Sequence, residues 1–177
     1  MNEFTSYLKV DYREVSLEII INGLNDAINT LKKQIDEIHW YDGDWFMEES
    51  EPIYGLAFIA FQNYINGSIQ DFKGNLLSKQ ELYKIENSKS KYPKTKIELI
   101  ISLANYTKHK DDGVPHKGTK EVLDCFKLNY LNVTYLDKSP IFQGLTILNK
   151  NWDLFKIKAI VTKWRKLLWN QEIELNI

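Results

Sequence analysis

Between Arg13 and Tyr41 the apolar residues Leu17, Ile21, Leu24, Ile28, Leu31, Ile35 and Ile38 fall alternately four and three positions apart. That spacing lines one face of an α-helix and does not fit the two-residue period of a strand. It predicts one long N-terminal helix, its stripe widened by Ile20 and Ala27, with a seam that suits a bundle neighbour or a dimer partner equally well. A second helix is expected from Ser50-Glu51-Pro52, where serine caps and proline sits in the first turn. It runs through Ile53, Leu56, Ala57, Ala60, Phe61, Tyr64, Ile65 and Ser68 to the region of Phe72 to Gly74. Being apolar around most of its circumference, it is the expected centre of a bundle. The stretch before it, from Tyr41 to Glu51, reads as an acidic loop.

Ser78-Lys79-Gln80-Glu81 has capping-box spacing and predicts a short helix with Leu82 and Ile85 inward, followed by a polar loop from Asn87 to Tyr92. Thr95-Lys96-Ile97-Glu98 repeats the box. It opens a helix whose stripe is Ile97, Ile100, Ile101 and Ala104 and which must end by Gly113-Val114-Pro115. Thr119 is placed to cap a short helix with Val122, Leu123 and Phe126 inward. Leu128 to Leu136 is read as irregular, although Val133, Thr134 and Tyr135 favour strand. Ser139-Pro140 opens a helix through Phe142, Leu145 and Leu148. Asn151 is expected to cap a last one with Trp152, Phe155, Ala159, Ile160, Leu167 and Leu168 on its inner face. The whole predicts an all-α, single-domain antiparallel helical bundle spanning residues 1–177.

Composition narrows the picture. With 177 residues, 44% hydrophobic and 13% aromatic, the chain is long and apolar enough for one packed core. A formal charge of −1 supplies no global field for a polyanion, so any nucleic-acid site has to be a local patch. Arg13 and Arg165 are the only arginines, which limits bidentate phosphate recognition to two positions. Cys125 stands alone and excludes both an intramolecular disulfide and a cysteine metal cluster. The N-terminus has no apolar leader-like run. The most apolar segment, Pro52 to Ile69, is broken by Gln62, Asn63, Asn66 and Gly67. A cytoplasmic protein without membrane association is the expectation.

Chemistry concentrates in Leu103-Ala104-Asn105-Tyr106-Thr107-Lys108-His109. Asn105 and His109 lie one turn apart on a helix and would share the edge of its apolar stripe, at a groove margin. The plain reading is a C-terminal histidine complementing the helix dipole, with Asn105 bonded locally. His109 and His116 flank Asp111 and Asp112, but no His-Glu-x-x-His or paired Cys-x-x-Cys pattern accompanies them, so no metal or other cofactor is expected. Cys125 reads as a buried structural thiol. The tryptophans Trp40, Trp45, Trp152, Trp164 and Trp169 read first as core, with Trp164 a candidate exposed anchor.

The segment from Ala104 to His109 resembles the motif of the higher-eukaryote and prokaryote nucleotide-binding (HEPN) domains. These are small all-α bundles in which an arginine, usually followed by asparagine, precedes a histidine near a helix end. Asn105 and His109 match in spacing and helical setting, and Ala104 stands where the arginine would be. The resemblance implies metal-independent ribonuclease chemistry in a homodimer whose composite site uses both motif helices. His109 would serve as acid or base for a 2′-hydroxyl and leaving oxygen, and Asn105 would orient it or hold a phosphate oxygen. The missing cation would have to come from Lys108, Lys110, Arg13 or Arg165. Loss of the arginine shifts the expectation toward a degenerate member that binds RNA or a nucleotide. The alternative is a non-enzymatic interaction protein, an immunity or antitoxin-like partner. It would bind another protein through the Leu17 to Ile38 seam or through the acidic aromatic segment of Asp42, Asp44, Trp45, Phe46, Glu48, Glu49 and Glu51.

Overall fold

A computed structural model describes residues 9–85, 91–131 and 136–174, with side chains described as far as residue 170. The helices are α1 (Arg13–Glu37), α2 (Gly43–Lys73), the single turn α3 (Lys79–Leu82), α4 (Lys96–His109), α5 (Lys117–Cys125), α6 (Pro140–Leu148) and α7 (Leu154–Glu174). No strand occurs among the described residues. The expected all-α bundle is what forms. Residues 132–135 of the stretch read as irregular, and much of the expected Asn87 to Tyr92 loop, lie outside the described residues.

Helix α2 is the axis of the bundle and packs against α1, α4, α6 and α7. Its buried side chains, among them Tyr54, Ala57, Phe58, Phe61, Ile65 and Ile69, point in several directions around the helix. Each large one contributes about 1.5–3 kcal/mol by leaving water. The helix begins at Gly43, well before the expected start at Ser50. Asp42 caps it, its Oδ1 accepting from the backbone N–H groups of Asp44 and Trp45 at 3.0 and 3.2 Å. Proline then lies inside the helix at position 52 and does not end it. Ser50 is fully buried and does not cap. The acidic run therefore caps and forms the first turns of α2, with Asp42, Glu49 and Glu51 engaged and Asp44 and Glu48 exposed. Glu49 accepts from the Tyr41 hydroxyl at 2.7 Å, and Glu51 accepts from the Ser139 hydroxyl.

Other local expectations shift by a turn or less. Ser78 adopts a left-handed backbone with φ 57° and its side chain caps nothing, so only one turn of α3 forms. His116 occupies the cap position of α5, and Thr119 is buried within that helix. Asp153 caps α7, accepting from Phe155 and Lys156, while the Asn149 side chain shapes the turn before it. The inner face of α7 is consequently Leu154, Ile157, Val161, Trp164, Arg165 and Leu168, and Ala159 is exposed. Trp164 is buried core and not an exposed anchor, its indole N–H donating to the Leu82 carbonyl at 3.1 Å. Trp40 and Trp45 are the exposed tryptophans, in edge contact at 5.8 Å. Cys125 is half-buried.

Helix α4 is held most closely. A Cβ on Gly55 of α2 would lie 2.6 Å from Thr107, and one on Gly144 of α6 would lie 2.4 Å from Leu103. Glycine at these two places lets both neighbours approach α4 at backbone distance. At its start the expected capping box forms in full, with Thr95 Oγ1 accepting from Glu98 N–H and Glu98 accepting from Thr95 N–H at 2.8 Å. The Thr95 hydroxyl also donates to the Tyr83 carbonyl at 2.7 Å, tying α3 to α4. Thr95→Ala removes both bonds and is expected to lower stability by about 1–2 kcal/mol in urea unfolding, with most of the loss restored by Thr95→Ser.

Candidate functional site

One face of α4 borders a cavity of about 420 Å³. Its walls are Gln62 and Asn66 of α2, the α3 region from Lys79 to Lys84, the α4 face bearing Glu98, Ile101, Ser102, Asn105 and Lys108, and Glu121 and Val122 of α5, with Lys94 at the rim. Positions 98, 101, 105 and 108 recur at helical spacing, so one face of α4 supplies them all. Gln62 and Asn66 are likewise one turn apart on α2.

The hydrogen bonds fix which atoms face the cavity. Lys108 Nζ donates to Gln62 Oε1 at 2.7 Å. An ammonium only donates, so the oxygen of Gln62 must be the end turned to Lys108. Its Nε2 then faces Asn105 and donates to Asn105 Oδ1 at 2.8 Å. With that oxygen engaged, Asn105 offers its Nδ2 hydrogens. On the far wall the Tyr83 hydroxyl donates to Asn66 Oδ1 at 2.6 Å, and Asn66 likewise keeps its Nδ2 group as a donor. Burial holds the Tyr83 phenol well above its ordinary pKa, so it stays protonated and able to make this bond.

Charge follows the same bias. Among the lining lysines, Lys84 pairs with Glu81 at 2.8 Å and Lys94 with Glu98 at 3.0 Å. Lys79 and Lys108 have no carboxylate partner among the described residues. Desolvation and the nearby charge of Lys79 lower the pKa of Lys108. An anion in the cavity would relieve that repulsion. The site is therefore a donor-rich, cationic recess, set up to receive oxygen acceptors.

The residues expected from sequence are divided by this geometry. Asn105 and Lys108 face the recess. His109 does not line it. The imidazole turns toward the loop, with Nδ1 2.8 Å from Asp112 Oδ2 and its ring edge-on to His116 at 5.1 Å. Among the described residues no set of three metal-ligating side chains surrounds that pair. Lys110 points away from the recess to Glu51 of α2, 3.5 Å distant. Neither arginine lines the recess. Arg13 makes bonds of 2.7 and 2.9 Å to Asp71, whose hydrogen bond raises its pKa. Arg165 is buried 3.4 Å from Asp11. Both serve the contacts of the chain before α1 and of α1 itself with α2 and α7. Ala104 is fully buried in the core, where an arginine would have to bury its guanidinium.

Lys79, Gln62 and Asn66 are the members that sequence reasoning missed. The two amides carried a signal, as polar interruptions of the most apolar segment. Lys79 carried none and is brought in by the fold. No family model, curated protein or solved structure matches the chain.

Placing an arginine at position 104 tests how Ala104 is used. Ala104→Arg is expected to cost about 3 kcal/mol or more in urea unfolding and to yield no gain in RNA cleavage.

Proposed function

We propose that this protein binds RNA or a nucleotide through the recess between α2, α3, α4 and α5, as a degenerate HEPN-like domain that holds its ligand without cutting it. The supporting observation is the donor bias of the recess, where Lys79, Lys108, Asn105 and Asn66 line one cavity and the amide oxygens of Asn105 and Asn66 are each already accepting a hydrogen bond. Phosphate oxygens are the acceptors that such a lining suits best. The near-neutral chain requires a local cationic patch, and this is one.

Lys108 is the cation in this reading, in the part the resemblance gives to the arginine, with Gln62 positioning it and Asn105 bonding a phosphate oxygen directly. His109, paired with Asp112 outside the recess, lacks the reach for acid or base work there.

Equilibrium binding of a short oligoribonucleotide or of AMP tests the reading. Lys108→Met removes a charge-assisted bond and is expected to weaken binding about tenfold or more. His109→Ala should change it by less than about threefold. The interaction-protein reading, which the exposed Trp40–Trp45 pair favours, requires that Lys108→Met leave function intact. Equal sensitivity to Lys108→Met and His109→Ala would return the histidine to the site and overturn the binding-only account.

A further inference from the structure

We infer that the recess selects a terminal phosphate monoester, as found on a nucleoside monophosphate or at an RNA end, over an internal phosphodiester or a polyphosphate. The inference rests on the binding function proposed above and adds the ester state of the ligand.

Uncompensated charge is the first ground. Of the four lysines that line the recess among the described residues, two are neutralised, Lys84 by Glu81 and Lys94 by Glu98. Two ammonium groups remain, Lys79 and Lys108. A phosphate monoester carries close to two negative charges at pH 7, because its second pKa is about 6. A diester carries one. Glu121, the other lining carboxylate, lies 4.0 Å from Lys117 outside the recess, so a dianion matches the two ammonium groups left unpaired and a triphosphate exceeds them.

Donor number is the second ground. Lys79, Lys108, Asn105 and Asn66 present separate donors from α2, α3 and α4, and a monoester has three terminal oxygens to receive them where a diester has two. The third ground is what the lining lacks. Tyr83 is its one aromatic residue among the described residues, is 5% exposed and has its hydroxyl engaged with Asn66, so none of these offers a ring face to a base. Binding of a continuous single strand relies on such stacking platforms. A volume of about 420 Å³ also lies at the small end of ligand sites and suits one nucleotide better than a strand.

The test is a set of binding titrations with the full chain, using AMP, 3′,5′-cyclic AMP, adenosine and ATP. A 5′-phosphorylated oligoribonucleotide and its 5′-hydroxyl twin distinguish a free nucleotide from an RNA end as the source of the phosphate. AMP is expected to bind about tenfold or more tightly than cyclic AMP or ATP, and adenosine to bind least. Lys79→Met and Lys108→Met should each bring AMP down toward the level of cyclic AMP. Lowering the pH from about 7.5 to 5.5 should weaken AMP and leave cyclic AMP unchanged, since only the monoester gains a proton there. That comparison needs no variant and stands even if a lysine substitution disturbs folding. Equal binding of AMP and cyclic AMP, both lost in Lys108→Met, would overturn the monoester selection and keep the proposed function. Binding of none of these probes would overturn both.

Discussion

A primary amide buried between helices must have both of its ends satisfied, and Gln62 meets that requirement in one way. Its oxygen is claimed by the Lys108 ammonium, so its nitrogen has to be matched by an acceptor, and Asn105 Oδ1 at 2.8 Å is the nearer of two, with the Ile101 carbonyl at 3.5 Å. Leaving either end unmatched would cost about 1–3 kcal/mol. That penalty orients three side chains together and sets the polarity of the recess. The residue is 6% exposed, among the buried residues of α2. A hydrophobic side chain at position 62 would pack there without ordering Asn105 or Lys108. The amide thus links the stability of the α2–α4 interface to the chemistry on its open edge.

The seat of α4 determines which of its residues share that edge. Gly55 and Gly144 bring α2 and α6 close, and the capping box sets where the helix begins, so its rotation is defined at both ends. Asn105 and Lys108, three apart, then fall on the α2 side at the recess, while Lys110 swings to Glu51. His109 is the last residue of the helix, where the backbone leaves α-geometry at φ −127° and ψ 11°. Its imidazole follows the departing chain to Asp112. The four-residue spacing from Asn105 holds in sequence and is undone by the helix end.

Features governed by local physics were readable in the chain. The helix marked by the four-three pattern of α1, the box at Thr95 and the Ser139-Pro140 start of α6 each appear where the residues indicate, although Ile20 and Ile35 of the α1 stripe are exposed. The α2 start was misread because Ser50-Glu51-Pro52 has the form of a cap, while the real cap at Asp42 stands before a glycine. The face of α7 was misjudged because its apolar residues are too numerous to mark one stripe, and burial of Arg165 depends on partners far away in sequence. The recess was half legible. Asn105 and Lys108 lie in one motif, but Lys79 joins them only through anchors on Leu82, Tyr83 and Asn66. Gln62 and Asn66 stood out as breaks in an apolar run, and tertiary structure was needed to show that both look into one cavity.

The central claim is that Lys108 is a partly desolvated cation waiting for an anion. Carbon-detected NMR titration of the lysine Cε resonances, with and without AMP, measures this directly. The account predicts that Lys108 loses its proton at a lower pH than the surface lysines in the free protein and shifts upward when AMP occupies the recess. A Lys108 resonance that titrates with the surface lysines, or that AMP leaves unmoved while binding saturates, would contradict it.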